Sequence, residues 1–226
     1  MSIINNQYSK RAPENAGRQS LEPLCVIERH PWEPFLPENT KVLMLGSFPP
    51  QENRWSMDFF YPNFNNDMWR IIGRIFFDDK DYFTVKDSAG KPGRRFDKDR
   101  IVDFCRRHGL ALYDTALEVR RLNGNASDKF LDIVTPVDIK AMLERIPECN
   151  TIISTGEKAG EIIGGTFGCE VPKPGKYTGI TYSTVKDGAE TERSLTFYRL
   201  PSSSRAYPLA LDKKAEAYSI LKDLLD

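Results

Sequence analysis

The chain has 226 residues, and its 32 basic and 32 acidic side chains give a formal net charge of zero. This balance excludes a protein whose whole surface is basic and coats nucleic acid. Hydrophobic residues make up 40% of the chain, which is enough for a sizeable core and excludes bulk disorder. No run approaches the roughly 18 consecutive apolar residues of a membrane helix, so we expect no membrane association.

The 4 cysteines are widely spaced, and there are only 2 histidines. This pattern does not favour a zinc site or a disulfide framework. We therefore expect no bound metal, reduced thiols and a cytoplasmic location.

Residues 1–39 are predicted to be an N-terminal extension that is only partly packed. The polar beginning lacks the apolar core of a signal peptide. We expect the first 20 residues to be loose and residues 24–36 to pack on the main domain. The side chains expected to make this contact are Leu24, Val26, Trp32 and Phe35.

Short apolar runs typical of strands buried on both faces follow, at 41–46, 110–113, 151–154 and 195–200. Helical patterns lie at 66–77, 97–107, 136–145, 157–163 and 211–225. Strands separated by helices predict an α/β protein, a three-layer α/β/α sandwich with a central, mainly parallel four-stranded sheet. We expect residues 40–226 to form a single domain of this kind.

Proline, glycine and charged residues indicate one helix start and two segments outside the predicted core elements. The helix at 136–145 is expected to begin with Thr135 as its cap and Pro136 as its first residue. Residues 78–96 are predicted to be a surface loop, and residues 164–193 an insertion that carries a hairpin.

Ligands of an open parallel sheet bind at the carboxyl ends of its strands. The sequence at those ends is Gly-Ser-Phe-Pro-Pro (46–50), Asp-Thr (114–115), Thr-Gly (155–156) and Pro-Ser-Ser-Ser-Arg (201–205). No phosphate-binding P-loop or dinucleotide glycine fingerprint is present. We expect neither His30 nor His108 to lie at a strand end. His108 is expected to stabilise the C-terminal end of the helix that precedes Gly109.

These strand ends belong to longer motifs that occur in a fixed order. Val-Leu-Met-Leu-Gly-Ser-Phe-Pro-Pro stands at 42–50, and Phe-Phe-Tyr-Pro-Asn-Phe-Asn-Asn-Asp-Met-Trp at 59–69. Tyr-Asp-Thr-Ala begins at 113, Ser-Thr-Gly-Glu-Lys-Ala at 154, and Leu-Pro-Ser-Ser-Ser-Arg-Ala at 200. From about residue 40 to the end, the chain resembles the uracil-DNA glycosylase superfamily. It is most similar to the hypoxanthine (deoxyinosine) DNA glycosylase branch and, more distantly, to mismatch-specific uracil/thymine glycosylases.

The resemblance implies hydrolysis of the N-glycosidic bond of a deaminated or mismatched base, such as uracil or hypoxanthine, flipped from DNA in base excision repair. It implies a DNA partner and no cofactor, and we expect a monomer. The residues implied in base binding are Gly46, Ser47, Phe48 and Pro49, with Phe48 as the stacking platform. Those implied in DNA binding are Ser202, Ser203, Ser204 and Arg205, with Arg205 either as a phosphate clamp or as the wedge that enters the gap left by the flipped base. Tyr207 could supply a stacking surface instead.

In the branch that the chain resembles, an asparagine three residues before the helical tryptophan directs the attacking water. Counting back from Trp69 gives Asn66, with Asn63 and Asn65 as alternatives. The branch's histidine-proline pair is replaced by Asn63 and Phe64, so the substrate preference stays open.

Each of these residues also has a purely structural interpretation. Asn66 is a good helix cap, and Phe48 could belong to the core. The serines could form a polar turn, and Trp69 is expected in the core. Asp114 is either a second acid/base group or a partner of local backbone groups.

Two other functions remain open. Many members of the superfamily that the chain resembles carry a water-holding Asn or Asp in the first loop, where this chain has Ser47 and Phe48. This difference favours a nucleic-acid- or nucleotide-binding protein without catalysis. The neutral charge would suit a nucleoside or nucleotide N-glycosidic hydrolase. The zero charge is, however, a cancellation between segments: residues 91–107 hold seven basic and three acidic side chains, and residues 130–166 hold three basic and six acidic ones. A narrow basic rim is therefore compatible with the composition.

Overall fold

The computed structural model describes residues 26–122, 130–186 and 188–226. Its strands are β1 (Ile27–Arg29), β2 (Val42–Gly46), β3 (Thr84–Lys86), β4 (Pro92–Phe96), β5 (Leu110–Asp114), β6 (Ala116–Arg121), β7 (Leu131–Pro136), β8 (Thr151–Thr155), β9 (Lys176–Lys186) and β10 (Ala189–Leu200). Its α-helices are α1 (Met68–Phe77), α2 (Lys98–His108), α3 (Ile139–Glu144), α4 (Glu157–Phe167), α5 (Leu211–Tyr218) and α6 (Ile220–Leu225).

The central sheet has five strands in the order β5-β2-β8-β10-β9. The first four run parallel, and β9 pairs antiparallel with β10 at the edge. The predicted number of four strands was therefore wrong. The insertion after α4 folds back along β10 and buries Ile180 opposite Leu195, which extends the sheet by one strand.

Helices cover the sheet on both faces. The chain passes from β2 through α1 and α2 to β5 in one direction, and from β8 through α4 to β10 in the other. Because such crossovers are right-handed, these helices lie on opposite faces. Every residue of β2, β5 and β8 is buried, as expected for a sheet covered on both sides. The architecture is a three-layer α/β/α sandwich, with α5 packed on α1.

A second, antiparallel sheet in the order β1-β6-β7 was not predicted from the sequence. Its first strand comes from the N-terminal extension, and Trp32 and Phe35 after it pack on the main core. Val26 was expected to pack with them, but this residue is 74% exposed. Leu24 and the first 20 residues lie outside the described residues.

Several predicted boundaries move for local reasons. The predicted helix start at Thr135 was wrong, because Pro136 pairs with Ala116 at the end of β7. The helix begins at Ile139 instead, where the side chain of Asp138 accepts the backbone N–H of Ala141 at 3.0 Å.

Two other segments differ from the predicted secondary structure. The segment 78–96 contains the hairpin β3–β4 rather than only a loop, and the final helix is interrupted at Ser219. None of the helices in the described part of the chain is long and apolar enough to span a membrane.

Candidate functional site

A cavity of about 470 Å³ opens at the carboxyl ends of β2, β5, β8 and β10. This is the edge where open parallel sheets bind ligands, and the volume lies within the roughly 300–1,000 Å³ of small-molecule sites. Three segments contribute to its wall. They are the loop after β2 (46–50), the asparagine-rich segment before α1 (63–66) and the serine loop after β10 (201–205). Further side chains in the wall are Arg54, Tyr61, Asp114, Thr155 and Tyr207.

The structure brings most of the predicted site residues together. Lining the cavity are Gly46, Ser47, Phe48, Pro49, Ser202, Ser203 and Ser204. Arg205 does not line it. The Arg205 Nε atom donates to Asp67 Oδ1 at 2.8 Å, so this side chain stands on the far side of the serine loop.

All three candidate asparagines line the cavity, but their side chains have different partners. Asn66 Oδ1 accepts the backbone N–H of Met68 at 2.9 Å, which fixes the side chain at the start of α1. Asn63 Oδ1 accepts the backbone N–H of Asn65 at 2.9 Å within a local turn, and Asn65 is exposed.

The asparagine-rich segment and the serine loop are joined by backbone pairing. Asn66 forms an isolated antiparallel bridge with Ser204, and the Asp67 N–H donates to the Ser203 carbonyl at 2.9 Å. These two segments, more than 130 residues apart in sequence, therefore form one rigid wall of the cavity.

A buried carboxylate stands in the cavity at the end of β5. Asp114 is 8% exposed, and its Oδ2 atom lies 3.0 Å from the Nε2 atom of His30. The His30 ring, whose side chain is fully buried, also has its Nδ1 atom 3.2 Å from the N–H and 2.9 Å from the carbonyl oxygen of Trp32. A ring whose Nδ1 atom accepts from the Trp32 N–H carries a proton on Nε2 and donates it to Asp114.

This pair corrects an expectation from the sequence. His30 directly follows β1, so the prediction that neither histidine lies at a strand end was wrong. The strand was missed because it has only three residues and pairs with β6, about 90 positions later in the chain. Asp114 could be placed at a strand end from the sequence, but nothing near it indicated a histidine partner 84 positions away.

Phe48 belongs partly to the core and partly to the cavity wall. The ring packs with Ala116, Val119 and Leu131, and its plane is perpendicular to the His30 ring at a centroid distance of 5.6 Å. The Arg121 guanidinium lies 5.5 Å from the ring centroid. These contacts fix the ring, so the side chain is a rigid part of the cavity wall.

Two further wall residues were assigned no role from the sequence. Tyr61 has a left-handed backbone conformation with φ of 53°, and its hydroxyl group lies 2.9 Å from Thr155 Oγ1. The Tyr61 ring packs edge-on against Trp69 at 6.3 Å. Trp69 is 1% exposed, which confirms the prediction that it belongs to the core.

An ion cluster behind the serine loop holds that loop against α1. Asp67 accepts from Arg205 at 2.8 Å and from the Lys214 Nζ atom at 3.1 Å, and Lys214 also donates to the Ser204 carbonyl at 2.8 Å. The neighbouring Arg70 is buried, which lowers the pKa of its guanidinium.

The other end of the serine loop is held by a tyrosine. The Tyr218 hydroxyl donates to the Pro201 carbonyl at 2.7 Å, and burial raises the pKa of Tyr218 well above its ordinary value. The phenol therefore stays protonated and keeps this hydrogen bond.

Comparisons with known proteins point to one kind of fold. No protein-family model and no curated protein matches the sequence. Solved structures do match, among them the solution NMR structure of a "putative Uracil DNA glycosylase" from Methanosarcina acetivorans. This neighbour is 21% identical, with a TM-score of 0.53, and the match covers 88% of this chain and 99% of the neighbour. The chain is thus similar in fold to that protein.

Proposed function

We propose that the protein is a monofunctional DNA N-glycosylase that hydrolyses the bond between a flipped, deaminated base and its sugar. The observation that carries the proposal is the cavity at the strand ends, whose wall includes a glycine-serine-phenylalanine loop, an asparagine fixed at a helix start and a serine loop. A base must leave the helical stack to be reached, and a concave site of this size can receive it.

Asp114 is the residue proposed to recognise the base. A carboxylate oxygen accepts hydrogen bonds, and the Asp114 carboxylate is held in the cavity by His30. Uracil and hypoxanthine carry a ring N–H beside a carbonyl group, whereas the ring nitrogen of cytosine or adenine at that place is itself an acceptor. The carboxylate therefore favours uracil over cytosine and hypoxanthine over adenine.

Backbone N–H groups of the loop after β2 are proposed to bind the carbonyl oxygen of the base. Negative charge grows on the base as its bond to the sugar breaks, and fixed donors stabilise that charge most strongly in the transition state. Phe48, held by its packing against the second sheet, supplies the stacking surface.

Asn66 is proposed to orient the attacking water. Its Oδ1 atom has one lone pair directed to the Met68 N–H and a second available to accept from water. No lysine occurs among the described residues of the cavity wall, so we propose hydrolysis by water rather than a lysine Schiff base. The serines at 202–204 are proposed to donate to phosphate oxygens of the DNA.

The proposal is tested with labelled oligonucleotides that carry uracil, hypoxanthine, xanthine or mismatched thymine, followed by alkaline cleavage of abasic sites. We expect scission by the wild-type protein and a loss of about 100-fold or more in the Asn66→Ala variant. Asn63→Ala and Asn65→Ala are the matched controls in the same wall and should retain activity.

Three results would contradict the proposal or its assignment of residues. Tight binding without scission would indicate a nucleic-acid-binding protein without catalysis. Release of a base from free nucleosides but not from DNA would indicate a nucleoside hydrolase. Scission lost in Asn63→Ala or Asn65→Ala, but not in Asn66→Ala, would move the water-orienting role to that residue.

A further inference from the structure

A second depression, which we call the arginine groove, lies beside the cavity. It has a volume of about 730 Å³ and is lined by the turn at 52–58, the asparagine-rich segment and β4. Arg54, Asn63 and Asn65 line both the groove and the cavity. The two depressions are therefore adjacent, and a strand whose flipped nucleotide occupies the cavity has the groove directly beside it.

Three guanidinium groups line the groove: those of Arg54, Arg94 and Arg95. All three side chains are exposed, and none takes part in an ion pair among the described residues. Other exposed arginines of the chain, such as Arg74 and Arg107, do pair with a carboxylate. The groove therefore concentrates uncompensated positive charge.

The acidic side chains of the groove do not cancel this charge. Of the two, Glu52 and Asp58, the latter already accepts from the Trp32 indole at 2.6 Å and lies 3.8 Å from Lys98 Nζ. The hairpin β3–β4 thus presents two arginines to a groove whose acidic residues are fewer and partly engaged.

An aromatic side chain completes the groove. The Trp55 indole N–H donates to the Pro50 carbonyl at 2.7 Å, and its ring packs on Trp32 at 4.7 Å. These contacts hold a half-buried indole in place beside the arginines. Arginines together with an aromatic surface are the side chains that bind phosphates and unstacked bases of a nucleic-acid strand.

We propose that the arginine groove binds the sugar-phosphate backbone of the damaged strand next to the flipped nucleotide. Arg54 is placed at the phosphate nearest the cavity, and Arg94 and Arg95 at phosphates farther along the same strand. The inference rests on the proposed function, because it takes the cavity as the place of the flipped base.

Binding and its salt dependence test this inference without requiring any chemistry. The probe is a fluorescent duplex with a non-cleavable abasic-site analogue, titrated at several salt concentrations. For Arg94→Ala/Arg95→Ala, we expect the slope of log K against log salt to fall by about two, because roughly 0.9 counterion is released per phosphate contact. Arg54→Ala should lower the slope by about one.

Matched variants separate a local contact from general charge. Arg106→Ala/Arg107→Ala also removes two exposed arginines, but from the end of α2, which leads into the amino end of β5 rather than the carboxyl ends where the cavity opens. This variant should leave the slope unchanged. Arg94→Lys/Arg95→Lys keeps the charge and should keep the slope. The inference is overturned if Arg94→Ala/Arg95→Ala and the α2 control give the same slope.

The two proposals can fail separately. If the wild-type protein excises no base but the groove variants still lower the salt slope, the groove is a DNA site and the glycosylase proposal is wrong. If excision occurs and the groove variants leave both the slope and the excision of long substrates unchanged, the groove inference is wrong.

Discussion

Gly46 and Asp114 are partners at the ends of two parallel strands, and the carboxylate of Asp114 occupies the space where a side chain on residue 46 would begin. A Cβ atom at position 46 would lie less than 3.0 Å from Asp114 Oδ1, closer than real Cβ atoms approach another heavy atom. Only glycine at the end of β2 allows the buried carboxylate to face the cavity.

We expect Gly46→Ala to lower the free energy of unfolding by about 1–3 kcal/mol, because overpacking a filled site forces its neighbours to move. Excision and base binding should fall with it, since the displaced group is the Asp114 carboxylate. Urea unfolding and the alkaline-cleavage assay measure the two effects.

Gly165→Ala is the matched control for that substitution. Gly165 is an exposed residue of α4 with open space where its Cβ would stand, so alanine should add about 0.5–1 kcal/mol of stability. Equal effects of the two substitutions would contradict the role assigned to the contact between Gly46 and Asp114.

Lys214→Met tests the ion cluster behind the serine loop. Lys214 is 1% exposed, and its removal leaves Asp67 with Arg205 as its cationic partner and the Ser204 carbonyl with the Tyr207 N–H as its donor. We expect a loss of about 3 kcal/mol in unfolding free energy, as for breaking other buried ion pairs. Urea unfolding measures this loss, and DNA binding should weaken because the serine loop loses its support.

The adjacent Lys213→Met variant is the control. Lys213 pairs with Glu216 on the exposed side of α5, and such pairs contribute little to stability. A similar loss in both variants would show that the buried cluster has no special role.

His108 should make folding stability depend on pH. Its ring packs on Phe104 at 4.4 Å, and burial lowers its pKa below the ordinary value of 6.5, an effect that Arg107 and Lys41 reinforce and Asp226 opposes. Protonation then costs more in the folded chain than in the unfolded chain. Stability is therefore expected to fall as the pH drops below 6.5, until the lowered pKa is passed.

His108→Gln removes the titrating group and should flatten this dependence. The measurement is urea unfolding of both proteins at pH 7.5 and pH 5.5. Because His30 is present in both, their difference isolates His108. An identical loss of stability on acidification in the two proteins would refute the assignment.

The sequence alone determined the elements whose signal is local. Buried apolar runs identified the four parallel strands, and the polar segments that follow them identified the loops at 46–50 and 201–205. Because parallel strands end at one edge of a sheet, these loops could be expected to meet. The charge distribution similarly pointed to a basic rim within 91–107, which contains the two arginines of β4.

Only the tertiary structure decided which side chains meet across long separations. The contacts of His30 with Asp114 and of Asp67 with Arg205 and Lys214 join residues 84, 138 and 147 positions apart. Short strands such as β1 exist because they pair with distant partners, so their own residues carry little signal. For the same reason, only the packing shows that Asp114 lines the cavity and that Arg205 does not.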